Sequence, residues 1–298
     1  MPFDKAFLTS LERLARLAKR IGRFARLGRR RRRPRSAAAS GEVRDRRDYA
    51  AGDDLRYVDW AAFGRLGRVL VKLFESDENR EVLLLVDVSA SMATGGGAKL
   101  EAARRAAAAL GCLGIARRDR VSATAFAGGL ERDLAPQGGR GALGRLLAFL
   151  DGLSPAPRGA DPEGALGAFV ARREGRTSSH RALALVVSDF LWPRTEPGRA
   201  VALLQAAGLD AAFVHVVDPR DEAPDLEGAV CLRDAETGSF REVSVDASVI
   251  EAYRRAFETH RDALERACVR AGAGYVPVRT DEPVEEAVLD LLRAGALG

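Results

Sequence analysis

The stretch VLLLVDVSASM, Val82 to Met92, decides the fold. Five consecutive apolar residues run into Asp87, and Ser89 and Ser91 follow at alternating positions. A run this short and this apolar predicts a strand buried on both faces, as in parallel sheets. Other stretches repeat the pattern. ALALVVSDF (Ala182–Phe190) is a second apolar strand ending on an acid, and DAAFVHVVD (Asp210–Asp218) is a third. RVSATAFA (Arg120–Ala127) and GYVPV (Gly274–Val278) add two more. Helical patterns alternate with them over Ala98–Arg117, Gly141–Leu153, Pro162–Arg173, Pro197–Ala207, Ser248–Ala271 and Pro283–Ala294. AVCLRDAETGSFREVSVD (Ala229–Asp246) reads as a hairpin about a Thr-Gly turn. The alternation predicts an α/β fold, a doubly wound and mostly parallel sheet with helices on both faces.

Composition sets the class. The chain has 298 residues, 47% hydrophobic and 6% aromatic, which fits a globular protein with a sizeable core. No apolar run approaches the roughly 20 residues of a spanning helix, and no secretory signal is expected. Cys112, Cys231 and Cys268 are odd in number and unclustered, which predicts reduced thiols in a cytoplasmic protein. The net charge of +5 hides an asymmetry. Residues 1–35 hold 13 Lys/Arg against Asp4 and Glu12, so the remainder is mildly acidic and no whole-protein nucleic-acid footprint is expected.

Three regions follow. In residues 1–35, Phe3, Phe7, Leu11, Leu14, Leu17, Ile21 and Phe24 recur at helical spacing, with Arg13, Arg16, Arg20 and Arg23 mainly opposite. This basic amphipathic helix runs into Arg29–Arg33 and suits either an anionic membrane surface, peripheral to the inner membrane, or a place on its own domain. Residues 36–80 open with a linker and continue as a charged segment with Tyr49, Tyr57 and Trp60 interleaved. Acids nearly match bases there, so Arg47, Asp53, Arg56 and Asp59 are expected to form a local structural knot rather than an RNA-stacking surface. Residues 81–294 carry the α/β pattern.

Ligands of such sheets bind outside the carboxyl ends of the strands. Asp87 and Asp189 both fall there, and neighbouring strands would bring them together with Ser89 and Ser91. Oxygen donors of this kind suit a hard cation, Mg²⁺ or Mn²⁺. Other chemistries fit less well. Neither serine sits in a Gly-flanked nucleophile elbow. His180, His215 and His260 lack zinc-ligand spacing. TGGGAK (Thr94–Lys99) lacks the full phosphate-loop pattern. An aspartyl-phosphate enzyme would need an acid where Ser89 stands. A strand end capped by Asp and Ser is the plain structural alternative.

DVSASM resembles the Asp-x-Ser-x-Ser of von Willebrand factor A domains, whose metal-ion-dependent adhesion site uses two Ser, a Thr and two Asp. RDYAAGDDLRYVDWAAFGRLGRVLVKLFESDENREVLLLVDVSASM is similar to the signature of the bacterial domain-of-unknown-function 58 (DUF) family. VVSDF, the hairpin, and YRRAFETHRDALERACVRAGAGYVPVRTDEP extend the likeness over most of residues 40–293. The resemblance implies metal ligation by the hydroxyls of Ser89 and Ser91, with Asp87 and Asp189 acting mainly through bound water. Where the adhesion site has Thr, this chain reads RGADPEGAL, placing Ala160 at the match and Asp161 beside it as a substitute ligand or a helix cap. A weak or partner-completed Mg²⁺ site is therefore expected. The resemblance also implies a non-enzymatic protein-interaction module working with a MoxR-type AAA+ ATPase in assembly or maturation of other proteins. The second expectation is a metal-dependent phosphoester hydrolase, with Asp161 or Glu163 as its acid or base. The third is an adaptor to a membrane surface or nucleic acid through residues 1–35.

Overall fold

The computed structural model describes residues 3–21, 43–49, 55–74, 80–156, 161–173, 182–192 and 197–293. Two compact units emerge: residues 1–30 with 80–298, and residues 31–79. In chain order the elements are α1 (Lys5–Ile21), β1 (Val43–Asp48), α2 (Trp60–Leu66), β2 (Leu70–Phe74), β3 (Glu81–Asp87) and α3 (Ala98–Ala116). Then come β4 (Arg120–Phe126), β5 (Leu130–Gln137), α4 (Ala142–Asp151), α5 (Pro162–Arg173), β6 (Ala182–Ser188), α6 (Pro197–Ala206) and β7 (Asp210–Val217). The chain closes with α7 (Pro219–Glu222), β8 (Gly228–Arg233), β9 (Phe240–Val245), α8 (Ala247–Ala271), β10 (Gly274–Arg279) and α9 (Val284–Arg293).

The larger unit is built on a six-stranded sheet in the order β10-β7-β6-β3-β4-β5. Every pairing is parallel except β4 with β5. The α/β expectation holds. β3 lies between β4, which follows it, and β6, which comes after a long excursion, so the winding reverses between β3 and β6. That reversal opens a crevice at the carboxyl ends of those two strands.

Alternation along β3 feeds two cores. Leu84 and Val86 join the layer that also holds α3, α4 and α9 residues, while Leu83 and Leu85 join the layer of α5, α6 and α8. The Ala-rich α3 buries Ala102, Ala103 and Ala106–Ala109. Small side chains let it lie close to the sheet: a Cβ at Gly111 would sit 2.3 Å from Leu146 Cδ2 and 3.1 Å from Leu84 Cδ1.

α1 docks on this unit. Phe7, Leu11 and Leu14 are buried in the α3 layer, and Ser10 Oγ donates to Glu285 Oε1 at 3.0 Å. Arg13 and Arg16 stay exposed on the outer face. Of the two readings for this helix, the structure shows the one on its own domain. The Arg29–Arg33 run lies outside the described residues. Among the described residues no helix is long and apolar enough to cross a membrane.

In the smaller unit β1 and β2 pair antiparallel, and Arg68 Nη2 binds both carboxylate oxygens of Asp48 at 2.8 Å. Buried Asp59 caps α2 by accepting from Ala62 N at 3.0 Å, and Arg56 lies 5.8 Å over the Tyr57 ring. Of the residues expected in the knot, Asp59 also serves as a helix cap, and Asp48–Arg68 is an ion pair of this unit. Asp53 lies outside the described residues.

Candidate metal centre

The centre is assembled at the winding reversal. β3 delivers Asp87 at its last residue, and β6 ends one residue before Asp189. Both carboxylates are buried, 0% and 1% exposed. After β3 the backbone turns into a short 3-10 segment, Ala90–Gly97, which carries Ser91. Ser89 Oγ and Ser91 Oγ lie 3.0 Å apart. The sequence-predicted Asp87, Ser89, Ser91 and Asp189 therefore meet on one edge of the sheet.

Asp87 is held on all sides. Its Oδ1 accepts from Ser89 N at 2.8 Å, while Oδ2 accepts from Ser188 Oγ at 2.6 Å and Trp192 Nε1 at 3.0 Å. Ser188 Oγ in turn accepts from Phe190 N at 2.9 Å. Even with these donors, complete burial and, after it, the neighbouring Asp189 charge push the Asp87 carboxyl up to about 6. The loop that follows β6 is strained: Phe190 has φ +52°, unusual for an aromatic residue. Its carbonyl bonds to His260 Nε2 at 2.9 Å, and its ring packs against Phe213, Trp192 and His215.

Asp189 has a partner that sequence reasoning missed. Buried Lys99 places Nζ 2.8 Å from Asp189 Oδ2 and 2.9 Å from Asp221 Oδ2. Burial pulls the Lys99 ammonium down, but Asp189 and then Asp221 outweigh it, leaving its pKa above the ordinary lysine value. The remaining Asp189 oxygen, Oδ1, accepts from Leu191 N at 3.2 Å. Alongside, Asp218 is gripped by Arg220 (2.8 and 2.9 Å), whose Nη2 also reaches the Gly95 carbonyl at 2.8 Å. Those hydrogen bonds hold the Asp218 carboxyl down at about 2.

Asp161 turns out to be a helix cap, accepting from Gly164 N at 2.9 Å at the start of α5. Ala160, the position matched to the adhesion-site Thr, lies outside the described residues, as does His180. A second acid that the sequence did not flag enters from far away. Glu236, in the β8–β9 turn, accepts from Ser91 N through Oε1 at 2.7 Å. Its Oε2 is buried and, among the described residues, has no hydrogen-bond partner.

The donor set fits a hard divalent cation. Asp87 lies beside the Ser89–Ser91 pair through the Ser89 amide, Glu236 reaches that pair through the Ser91 amide, and Lys99 Nζ sits between Asp189 and Asp221. The paired serine hydroxyls and the orphaned Glu236 Oε2 are oxygen atoms lacking a strong donor. Among the described residues no group of three or more His, Cys, Asp or Glu forms a ready metal cluster. The donors here are all oxygens, the kind a hard divalent cation takes.

Fold and site together define an α/β protein with an oxygen-lined centre at its topological switch point. Residues 45–263 match the family described as "Protein of unknown function DUF58", and the chain belongs to that family. Among its relatives is the uncharacterized protein Rv1480 of Mycobacterium tuberculosis, 34% identical over 245 residues that cover 80% of this chain and 75% of the relative. The uncharacterized protein Mb1516 of Mycobacterium bovis matches to the same extent. Solved structures with similar folds include the conserved hypothetical protein BatB from Bacteroides thetaiotaomicron, at TM-score 0.46 and 15% identity, covering 74% of this chain and 100% of that one. A von Willebrand factor type A protein from Catenulispora acidiphila aligns at TM-score 0.40 and 13% identity, covering 76% of this chain and 43% of that one.

Proposed function

We propose that the chain is a non-enzymatic protein-interaction module that holds Mg²⁺ or Mn²⁺ at the carboxyl ends of β3 and β6. The observation that carries this reading is the Ser89–Ser91 hydroxyl pair beside two buried carboxylates, Asp87 and Asp189. When bound, the ion supplies an electrophilic position able to take an acidic side chain of a partner. Ser89 and Ser91 would hold it through their hydroxyls, with Asp87 and Asp189 balancing its charge. The two acids that a hydrolase would use are engaged elsewhere: Asp161 caps α5, and Glu163 pairs with Arg199 at 2.7 Å.

From the resemblance, the partner is a MoxR-type AAA+ ATPase, with the pair serving assembly or maturation of other proteins. The odd number and wide spacing of Cys112, Cys231 and Cys268 support a reducing, cytoplasmic setting. The test is a pull-down of the ATPase on the immobilised chain, in Mg²⁺ and again in chelator. Retention in Mg²⁺ that is lost in chelator and in Asp87→Asn is the expected result. Equal retention in all three would refute a metal-mediated contact.

A further inference from the structure

The β8–β9 hairpin stands outside the main sheet, and most of its residues are exposed. Its turn is nevertheless tightly specified. Asp234 Oδ1 accepts from Glu236 N and Thr237 N, both at 2.8 Å. Gly238 N returns to Asp234 O at 2.9 Å, and Gly238 takes φ +70°. Asp234 N bonds to Ser239 O at 2.8 Å. This frame fixes the backbone of Glu236, whose side chain crosses to a segment 145 residues earlier and meets Ser91 N.

A carboxylate bound through one oxygen, with the other buried and unpartnered, is an expensive arrangement unless a positive group completes it. Lys99, the buried ammonium of the centre, is engaged by Asp189 and Asp221. Glu236 Oε1 is fixed on the amide of Ser91, the residue whose own hydroxyl lies 3.0 Å from Ser89 Oγ. We propose that Glu236 is a ligand of the divalent cation, supplied by the chain itself through the hairpin turn. This rests on the cation reading of the centre given above. It also specifies what a partner must do: its acidic side chain has to displace Glu236, so the hairpin closes the centre when no partner is present.

The test uses the full chain, Mn²⁺ alone as probe, and Glu236→Gln. Glutamine keeps a carbonyl oxygen for the Ser91 amide and loses the charge, so a purely structural clamp would be preserved. Mn²⁺ binding is followed by the loss of the free-ion electron paramagnetic resonance signal, and amide exchange is followed over residues 234–239. Glu236→Gln is expected to weaken Mn²⁺ binding by tenfold or more. Mn²⁺ is expected to slow exchange in the turn of the wild-type chain and not in the variant. Unchanged or tighter Mn²⁺ binding by Glu236→Gln overturns the ligand assignment while leaving the cation site standing. Failure of the wild-type chain to bind Mn²⁺ is a different result, which removes the cation site and this assignment with it.

Discussion

Lys99 and Asp189 sit 2.8 Å apart with side chains 2% and 1% exposed, so removing Lys99 strands the buried Asp189 carboxylate. Breaking a buried pair from one side costs about 3–5 kcal/mol. Lys99→Met is therefore expected to lower the urea unfolding midpoint by a corresponding amount, and Mn²⁺ should restore more stability to it than to wild type. An unaltered midpoint would show that the pair contributes nothing. His215 gives a pH test. Burial, opposed chiefly by Asp189, holds its imidazole down at about 4 against an ordinary 6.5. The unfolded chain takes up the proton first, so the stability tied to neutral His215 is complete above 6.5 and lost as pH falls toward 4. His215→Gln lacks that loss. The stability gap between the two proteins should move against wild type by about 3 kcal/mol between pH 7 and pH 4. Denaturant titrations at both pH values would reveal it, and a constant gap would contradict it.

Among the elements, α1 shows what amphipathic periodicity alone leaves open. An apolar stripe opposite arginines looks the same whether it meets lipid or protein, and only the fold shows Phe7, Leu11 and Leu14 buried against the domain. Leu14 is 0% exposed, so Leu14→Ala is expected to destabilise the chain by about 2–5 kcal/mol, measurable by chemical denaturation. A loss below the resolution of the method would mean the helix is only loosely docked. The buried strands were legible because both faces are apolar, which leaves a continuous run. β5 was not: as an antiparallel edge strand its LERDLAPQ has no buried residue and carries Glu131, Arg132 and Asp133 in a row, a composition that guards sheet edges and hides them from pattern reading. Short α2, with Gly64 inside it, gave no periodic signal either.

Across the whole molecule, the centre is a product of topology. Asp87, Ser89, Ser91 and Asp189 were readable because each sits at or just past the end of an apolar strand, and the sheet order makes those strands neighbours. Lys99, Asp221 and Glu236 were not readable, since a helix start, a short turn and a hairpin tip have no local mark of convergence. Glu236 and Ser91 are 145 residues apart, and only the closed fold joins them. The most direct measurement is a calorimetric titration of Mn²⁺ and Mg²⁺ into the purified chain, with Asp87→Asn in parallel. Saturable one-to-one binding by wild type and none by Asp87→Asn is the expected result, and it would fix the cation at the ends of β3 and β6. No heat from wild type, or equal binding by both proteins, would contradict a metal centre there.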